Sequence, residues 1–327
     1  MQWLEKRWYS DRSAPCWLLP LERLYRYLAE RRKQAYLSGK KQSWKAPVPV
    51  LVVGNISVGG TGKTPLTLWL VQWLRGQGYS PGIVSRGYGA SPPGYPYEVT
   101  AASPAPEAGD EPLMMVQRTG CPLVIDPDRP AAVRYLLQHH ACDLIISDDG
   151  LQHYALGRDI EIAVIDGERG LGNGRCMPAG PLREPETRLH SVDLVIQNGG
   201  DPGRFAPYRF NLVPESLHAP DRSKSMPLAD LAGGRIHAVA GIGHPQRFFN
   251  TLRTAGLEVI EHAFPDHHPF TMSDLAFGDR LPVVMTEKDA VKVSSGAYDN
   301  VWFLEVEALP DPAFSDALAT KLNCIAK

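Results

Sequence analysis

The chain has no long apolar run. None reaches 18 residues, so no stretch reads as a bilayer-spanning helix. Cysteine is sparse and scattered. There are five (Cys16, Cys121, Cys142, Cys176, Cys324), an odd number with no C-x-x-C. That pattern argues against a disulfide framework or a zinc site and fits a reducing compartment. The short apolar run "CWLLPL" is followed by no small-residue cleavage site, so it does not read as a signal peptide. Internal repeats and long low-complexity tracts are missing too. Lys and Arg number 34 against 36 Asp and Glu, a net charge of -2. A chain that is not basic and carries no nucleic-acid recognition motif gives no reason to expect a nucleic-acid partner.

What is present is unevenly placed. The 327 residues, 43% hydrophobic, suffice for one large or two ordinary domains. Residues 1–45 hold 11 Lys or Arg and 4 Asp or Glu, net +7, which leaves -9 for the rest. Four of the seven tryptophans (Trp3, Trp8, Trp17, Trp44) fall there as well. Leu21, Leu24, Tyr25 and Leu28 recur at helical spacing among Arg23, Arg26, Arg31, Arg32 and Lys33. Aromatic anchors beside cations suit a helix lying on a lipid surface. The same residues also suit an amphipathic helix packed on the core with a solvated basic face.

After Trp44, strand-like apolar runs appear at 48–54, 82–85, 122–126, 143–147, 160–165 and 193–197, with a helical stretch at 64–76. Strands alternating with helices predict an α/β fold: a mostly parallel sheet covered on both faces. Residues 91–108, rich in Pro and Ala, read as a long mobile loop. The Pro-, Gly- and Ser-rich stretch 200–234 reads as a boundary. The expected organisation is a basic aromatic N-terminal segment (1–45), a nucleotide-binding domain (46–212), a connector (213–234) and a smaller C-terminal α/β domain (235–327).

"SVGGTGKT" (57–64) sits between a strand and a helix. It matches the P-loop pattern G-x-x-x-x-G-K-[ST] except that Ser57 stands at the first position. In a P-loop, backbone N–H groups wrap phosphates, Lys reaches the β and γ oxygens, and Ser or Thr holds Mg²⁺. Gly59, Gly60, Thr61 and Gly62 then offer the cradle, with Lys63 and Thr64 in the two side-chain roles. A P-loop implies a nucleoside triphosphate, not a reaction. Val58 stands where a dimeric switch ATPase would carry a second lysine, and a base-reading N-K-x-D motif is missing. Acids for a divalent cation should end a neighbouring strand. Asp148 and Asp149 end "LIISDD", and Asp166 ends "IAVID".

Further motifs run in order: "IVSRGYG", "AGDEP", "SDDGLQHYALGRDIEIAVIDG", "GNGRCMPAGPLREP", "SVDLVIQNGG", "AVAGIGHPQRFF", "DHHPF" and "VMTEKDAVK". Together with "VPVLVVGNISVGGTGKTP" they cover most of the chain, and the chain resembles the tetraacyldisaccharide 4'-kinases, the lipid A 4'-kinases of Gram-negative bacteria. The resemblance implies a P-loop NTPase-like fold that uses ATP and Mg²⁺. It implies phosphorylation of the 4'-hydroxyl of an acylated glucosamine disaccharide 1-phosphate at the cytoplasmic face of the inner membrane. On that footing the N-terminal helix becomes a membrane-docking element, peripheral or monotopic. No protein partner is indicated either way. The resemblance further implies Asp110 of "AGDEP" as the base, oriented by His267 of "DHHPF". Glu184 of "LREP" would complete a metal environment with Thr64, Asp148 and Asp149. Read without the family, Asp110 is a helix cap, His268 is an equal candidate to His267, and Glu184 pairs with Arg183 or Arg188. Arg86 of "SRGYG" reads as a phosphate ligand for the substrate or as part of a structural turn. Thr286, Glu287, Lys288 and Asp289 remain open, Asp289 as a helix cap or as a group facing a cleft.

Overall fold

The computed structural model describes residues 2–10, 14–293 and 300–325. The chain separates into two compact units. One comprises residues 1–86, 121–211 and 309–327; the other comprises 87–120 and 212–308.

In the first unit, seven parallel strands stand in the order Tyr208 onward, Leu194–Asn198, Ile160–Asp166, Val50–Gly54, Leu144–Asp148, Pro81–Ser85, Leu123–Ile125. The strands Val50–Gly54, Leu144–Asp148 and Ile160–Asp166 are buried at every residue. Helices cover both faces of such a sheet, so its strands show no polar alternation. The helix Lys63–Gly76 buries Leu66, Leu70 and Leu74, one per turn, and Pro65 falls in the first turn, where no N–H donor is needed. This is a P-loop NTPase-like arrangement. The nucleotide loop leaves the central strand, and strands on both sides bring their carboxyl ends to the same edge.

The second unit has parallel pairing among Glu258–Ala263, Arg235–Ala240, Val283–Thr286 and Val301–Pro310. Its cores gather Phe249, Leu252, Ile236 and Val284 on one side and Phe303, Met285 and Val239 on the other.

Three expectations are corrected. The domain boundaries differ because residues 87–120 belong with the second unit. Arg118 donates to Glu287 at 3.0 Å and to the Val306 carbonyl at 2.8 Å. Residues 309–327 belong with the first, where Phe314 packs on Trp69 and Tyr208. The proposed connector 213–234 carries regular structure. The strand Tyr208–His218 runs into it, and Ser225–Pro227 pairs back antiparallel. Residues 91–108 contain a strand, Tyr97–Val99, and a short helix, Ala105–Ala108, joined by a Tyr97 hydroxyl bond to Glu107 at 3.1 Å.

The N-terminal helix Leu19–Leu37 has two stripes. Leu18, Glu22 and Tyr25 turn inward, and the Tyr25 hydroxyl donates to the Arg183 carbonyl at 3.0 Å. Trp17, Leu21, Leu24 and Leu28 lie one position earlier, and each is about half exposed or more. Among the described residues, no helix is long and apolar enough to cross a membrane.

Candidate active site

Residues 57–64 form a rigid cradle in the first unit. Gly59 (φ +100°) and Gly62 (φ +92°) take left-handed backbone conformations that admit a side chain only at a cost. Asn55 Nδ2 donates to Thr61 Oγ1 at 3.3 Å, and Asn198 Nδ2 to the Thr61 carbonyl at 3.2 Å. Arg169 reaches the Gly60 carbonyl at 3.0 Å and is itself held by Asp166 at 3.1 Å. Asp166 also accepts from the N–H groups of Glu168 and Arg169, so it caps its own turn. Ser57, the departure from the P-loop pattern, is buried and bridges to Leu182.

Asp148 and Asp149 divide their duties. Asp148 is buried; its Oδ1 accepts from the Thr67 hydroxyl at 3.3 Å, and its carbonyl accepts from Arg129 at 2.9 Å. Asp149 takes φ +46° and turns toward the cradle, 3.7 Å from Lys63 Nζ. Arg183 grips both its oxygens, at 3.0 and 2.9 Å. Burial pushes the Asp149 carboxyl up, but Lys63 and Arg183 outweigh it and hold the group down at about 2. Carboxylates and a threonine hydroxyl are the kind of oxygen donors that a hard dication takes. Glu184 is buried and spoken for on both oxygens. Gln152 donates to Oε2 at 2.7 Å, the Tyr154 hydroxyl donates to Oε1, and Arg188 lies 3.8 Å away. Of the two pairings expected for Glu184, that with Arg188 forms, buried rather than at the surface, and that with Arg183 does not. Arg86 is exposed at the end of its strand and has no ion-pair partner among the described residues.

In the second unit, Asp110 opens the helix Asp110–Thr119. His267 Nδ1 lies 3.0 Å from Asp110 Oδ2, while His268 Nε2 meets Asp274 at 3.2 Å. The two histidines are thereby told apart. Burial raises the Asp110 carboxyl, but the His267 hydrogen bond and the charges of Lys292 and Lys288 win, and the group ends below its ordinary value. Tyr88, 73% exposed, sets its ring 5.7 Å from that of His267.

Backbone strain picks out the same places. Among the described residues, three non-glycine residues have positive φ: Asp149, His267 (+62°) and Arg222. Such conformations are held where the surroundings over-determine them, which favours functional positions. Sequence reasoning missed Arg183 as the partner of Asp149, Arg129 behind Asp148, and Lys292 beside Asp110. Arg183 and Lys292 lay inside quoted motifs and Arg129 outside them, but in every case a cation's partner depends on a fold that brings distant segments together.

A family profile described as tetraacyldisaccharide-1-P 4'-kinase (LpxK) matches residues 14–323. Proteins named tetraacyldisaccharide 4'-kinase are similar along the chain. One from Pseudomonas aeruginosa (strain LESB58) is 53% identical over 308 residues, 94% of this chain and 93% of that protein. One from Pseudomonas putida (strain W619) is 54% identical, covering 94% of this chain and 92% of that one. The crystal structure of LpxK from Aquifex aeolicus in complex with ATP superposes with a TM-score of 0.78 at 29% identity, covering 93% of this chain and 98% of that one. The ordered motifs, the P-loop and its acidic neighbours, and these matches agree: the chain belongs to the tetraacyldisaccharide-1-P 4'-kinase family.

Proposed function

We propose that this kinase transfers the γ-phosphoryl group of ATP to the 4'-hydroxyl of tetraacyldisaccharide 1-phosphate in lipid A biosynthesis. The observation that carries the reading is the family match over residues 14–323, which includes an intact P-loop. In the transfer, the 4'-oxygen forms a bond to the γ-phosphorus, the bond to the β,γ-bridging oxygen breaks, and ADP leaves. Phosphoryl transfer asks for positioning and charge neutralisation more than covalent chemistry.

The N–H groups of Gly59, Gly60, Thr61 and Gly62 cradle the phosphates, and Lys63 neutralises the β and γ oxygens. Thr64, Asp148 and Asp149 would hold Mg²⁺, which would offset the negative charge of the phosphates. Glu184 stands behind this set: the Gln152 and Tyr154 bonds make it a support for the loop that carries Arg183. Asp110 accepts the proton of the acceptor hydroxyl, and His267 orients it. The Asp110 carboxyl, held below its ordinary value, is ionised at neutral pH and ready to accept. Arg86, exposed and without an ion-pair partner among the described residues, suits a substrate phosphate. The exposed stripe of Trp17, Leu21, Leu24 and Leu28 beside Arg23, Arg31 and Arg32 suits the cytoplasmic face of the inner membrane.

The test supplies purified protein in detergent with ATP, Mg²⁺ and tetraacyldisaccharide 1-phosphate, with Lys63→Ala as control. A new sugar monophosphate resonance in the phosphorus NMR spectrum, with the matching product mass and lost in the control, is the expected result. Nucleotide binding without that product refutes the assignment.

A further inference from the structure

The "TEKDAVK" segment builds a device around one lysine. Thr286 caps the short helix Glu287–Ala290, accepting from the Asp289 N–H at 3.2 Å. Asp289 is fully buried, and its Oδ2 accepts from the Thr286 hydroxyl at 2.6 Å and from the Gly241 N–H at 2.8 Å. Its Oδ1 meets Lys292 Nζ at 2.8 Å. The ammonium also lies 5.2 Å from the centroid of the Phe270 ring and 3.4 Å from Asp110 Oδ2. A lysine side chain only 8% exposed is costly to keep charged unless it is paired and hydrogen-bonded. Here the pairing is with a carboxylate that is itself locked by two other donors, so the ammonium has little freedom to leave.

The contacts on Asp110 are one-sided. His267 and Lys292 both address Oδ2. Neither addresses Oδ1. A carboxylate pinned through one oxygen presents the other in a fixed direction.

We propose that Lys292, anchored by Asp289, is a positioning residue for the phosphoryl transfer: it pins Asp110 Oδ2 and leaves Oδ1 to the acceptor hydroxyl. This rests on the reading of Asp110 as the base. Lys292 places its ammonium 3.4 Å from the Asp110 oxygen that His267 also addresses. Among the described residues, the other titratable groups around Asp110 are His267 and Lys288, with Asp266 and Glu111 paired to Lys288 at 3.4 and 3.3 Å.

The experiment measures kcat/KM against pH for the full-length protein with its lipid acceptor, alongside ATP affinity and thermal melting. Lys292→Gln is expected to raise the acidic limb of the profile by about one pH unit, because an opposite charge at this range depresses a carboxyl by one unit or more. The loss should fall on kcat, with ATP affinity unchanged. Lys292→Arg, which keeps the charge, should return the limb toward its wild-type position. Lys292→Met, which removes the charge but keeps an unbranched apolar stem, should move it the same way as Lys292→Gln, and decides the matter if Lys292→Gln does not fold. An unmoved limb in the folded variants overturns the proposal. Asp110→Asn separates the two levels. Full turnover in that variant overturns the base reading itself, whereas lost turnover with an unmoved Lys292→Gln limb overturns the role of Lys292 alone.

Discussion

Gly62→Ala tests the construction of the nucleotide cradle. Gly62 precedes the helix Lys63–Gly76 with φ +92° and ψ 20°. An L-residue in the left-handed region costs about 1–2 kcal/mol. A Cβ built there lies 2.4 Å from Asn198 Nδ2 and 3.2 Å from the Phe210 ring. Asn198 must shift, and its amide then loses the Thr61 carbonyl, a bond worth about 1 kcal/mol. The combined cost of about 2–3 kcal/mol lowers the melting temperature of a unit this size by about 4–12 °C. Gly60→Ala is the matched control, since a Cβ there meets nothing within 4 Å and no left-handed φ is involved. Its cost should stay within about 0.5 kcal/mol, or about 2 °C. Both variants are melted without nucleotide by calorimetry. If the two melt together, the cradle is not packed against Asn198 as described, and the account of its rigidity fails.

Three more expectations follow from the site and its surroundings. Asp110→Ala and His267→Ala should each lower kcat, the former by about 10²–10⁴-fold as for loss of a general base, with ATP affinity preserved; unaltered turnover in both contradicts the dyad. His153 is held down at about 4 by burial and by the charges of Arg129 and Arg86. A histidine whose folded value is depressed contributes full stability above about 6.5 and loses it as pH falls toward 4. Urea midpoints should therefore drop between pH 7 and 5 more in the wild type than in His153→Gln, and equal drops would count against that burial. Replacing Leu21, Leu24 and Leu28 by Ser should weaken flotation with anionic liposomes while nucleotide binding persists; undiminished flotation would exclude that stripe as the lipid contact.

The nucleotide half of the molecule was legible because its signals are local. The strand expected at 82–85 is Pro81–Ser85, that at 160–165 is Ile160–Asp166, and the helix expected at 64–76 is Lys63–Gly76. Continuous apolar runs ending in Gly or Asp report a buried parallel strand without help from the rest of the chain. The strand Tyr208–His218 escaped because it alternates Phe210, inside, with Asn211, Val213 and Glu215, outside, and lies between Pro207 and Pro220 with Pro214 within it. Its turn-like composition hid a period of two. The division into units was hidden for a different reason. Residues 87–120 join the second unit through Arg118 and Asp110, contacts made across well over a hundred residues of chain. Within the site, residue type marked Lys63 and Thr64. The choice between His267 and His268, adjacent and identical, required the left-handed turn that aims one at Asp110 and the other at Asp274.

The bond from Tyr25 to the Arg183 carbonyl ties a peripheral helix to the interior of the nucleotide site. Arg183 is the residue whose guanidinium holds Asp149. The helix Leu19–Leu37 is a rod of about 28 Å at 1.5 Å per residue, gripped along one side and bare along the adjacent one. It cannot roll to present its bare side at a different angle without dragging the main chain beside Asp149. Where the bare stripe rests on a lipid surface, the rod acts as a gauge. On the proposed membrane reading it would set the height and tilt of the phosphate cradle above that surface.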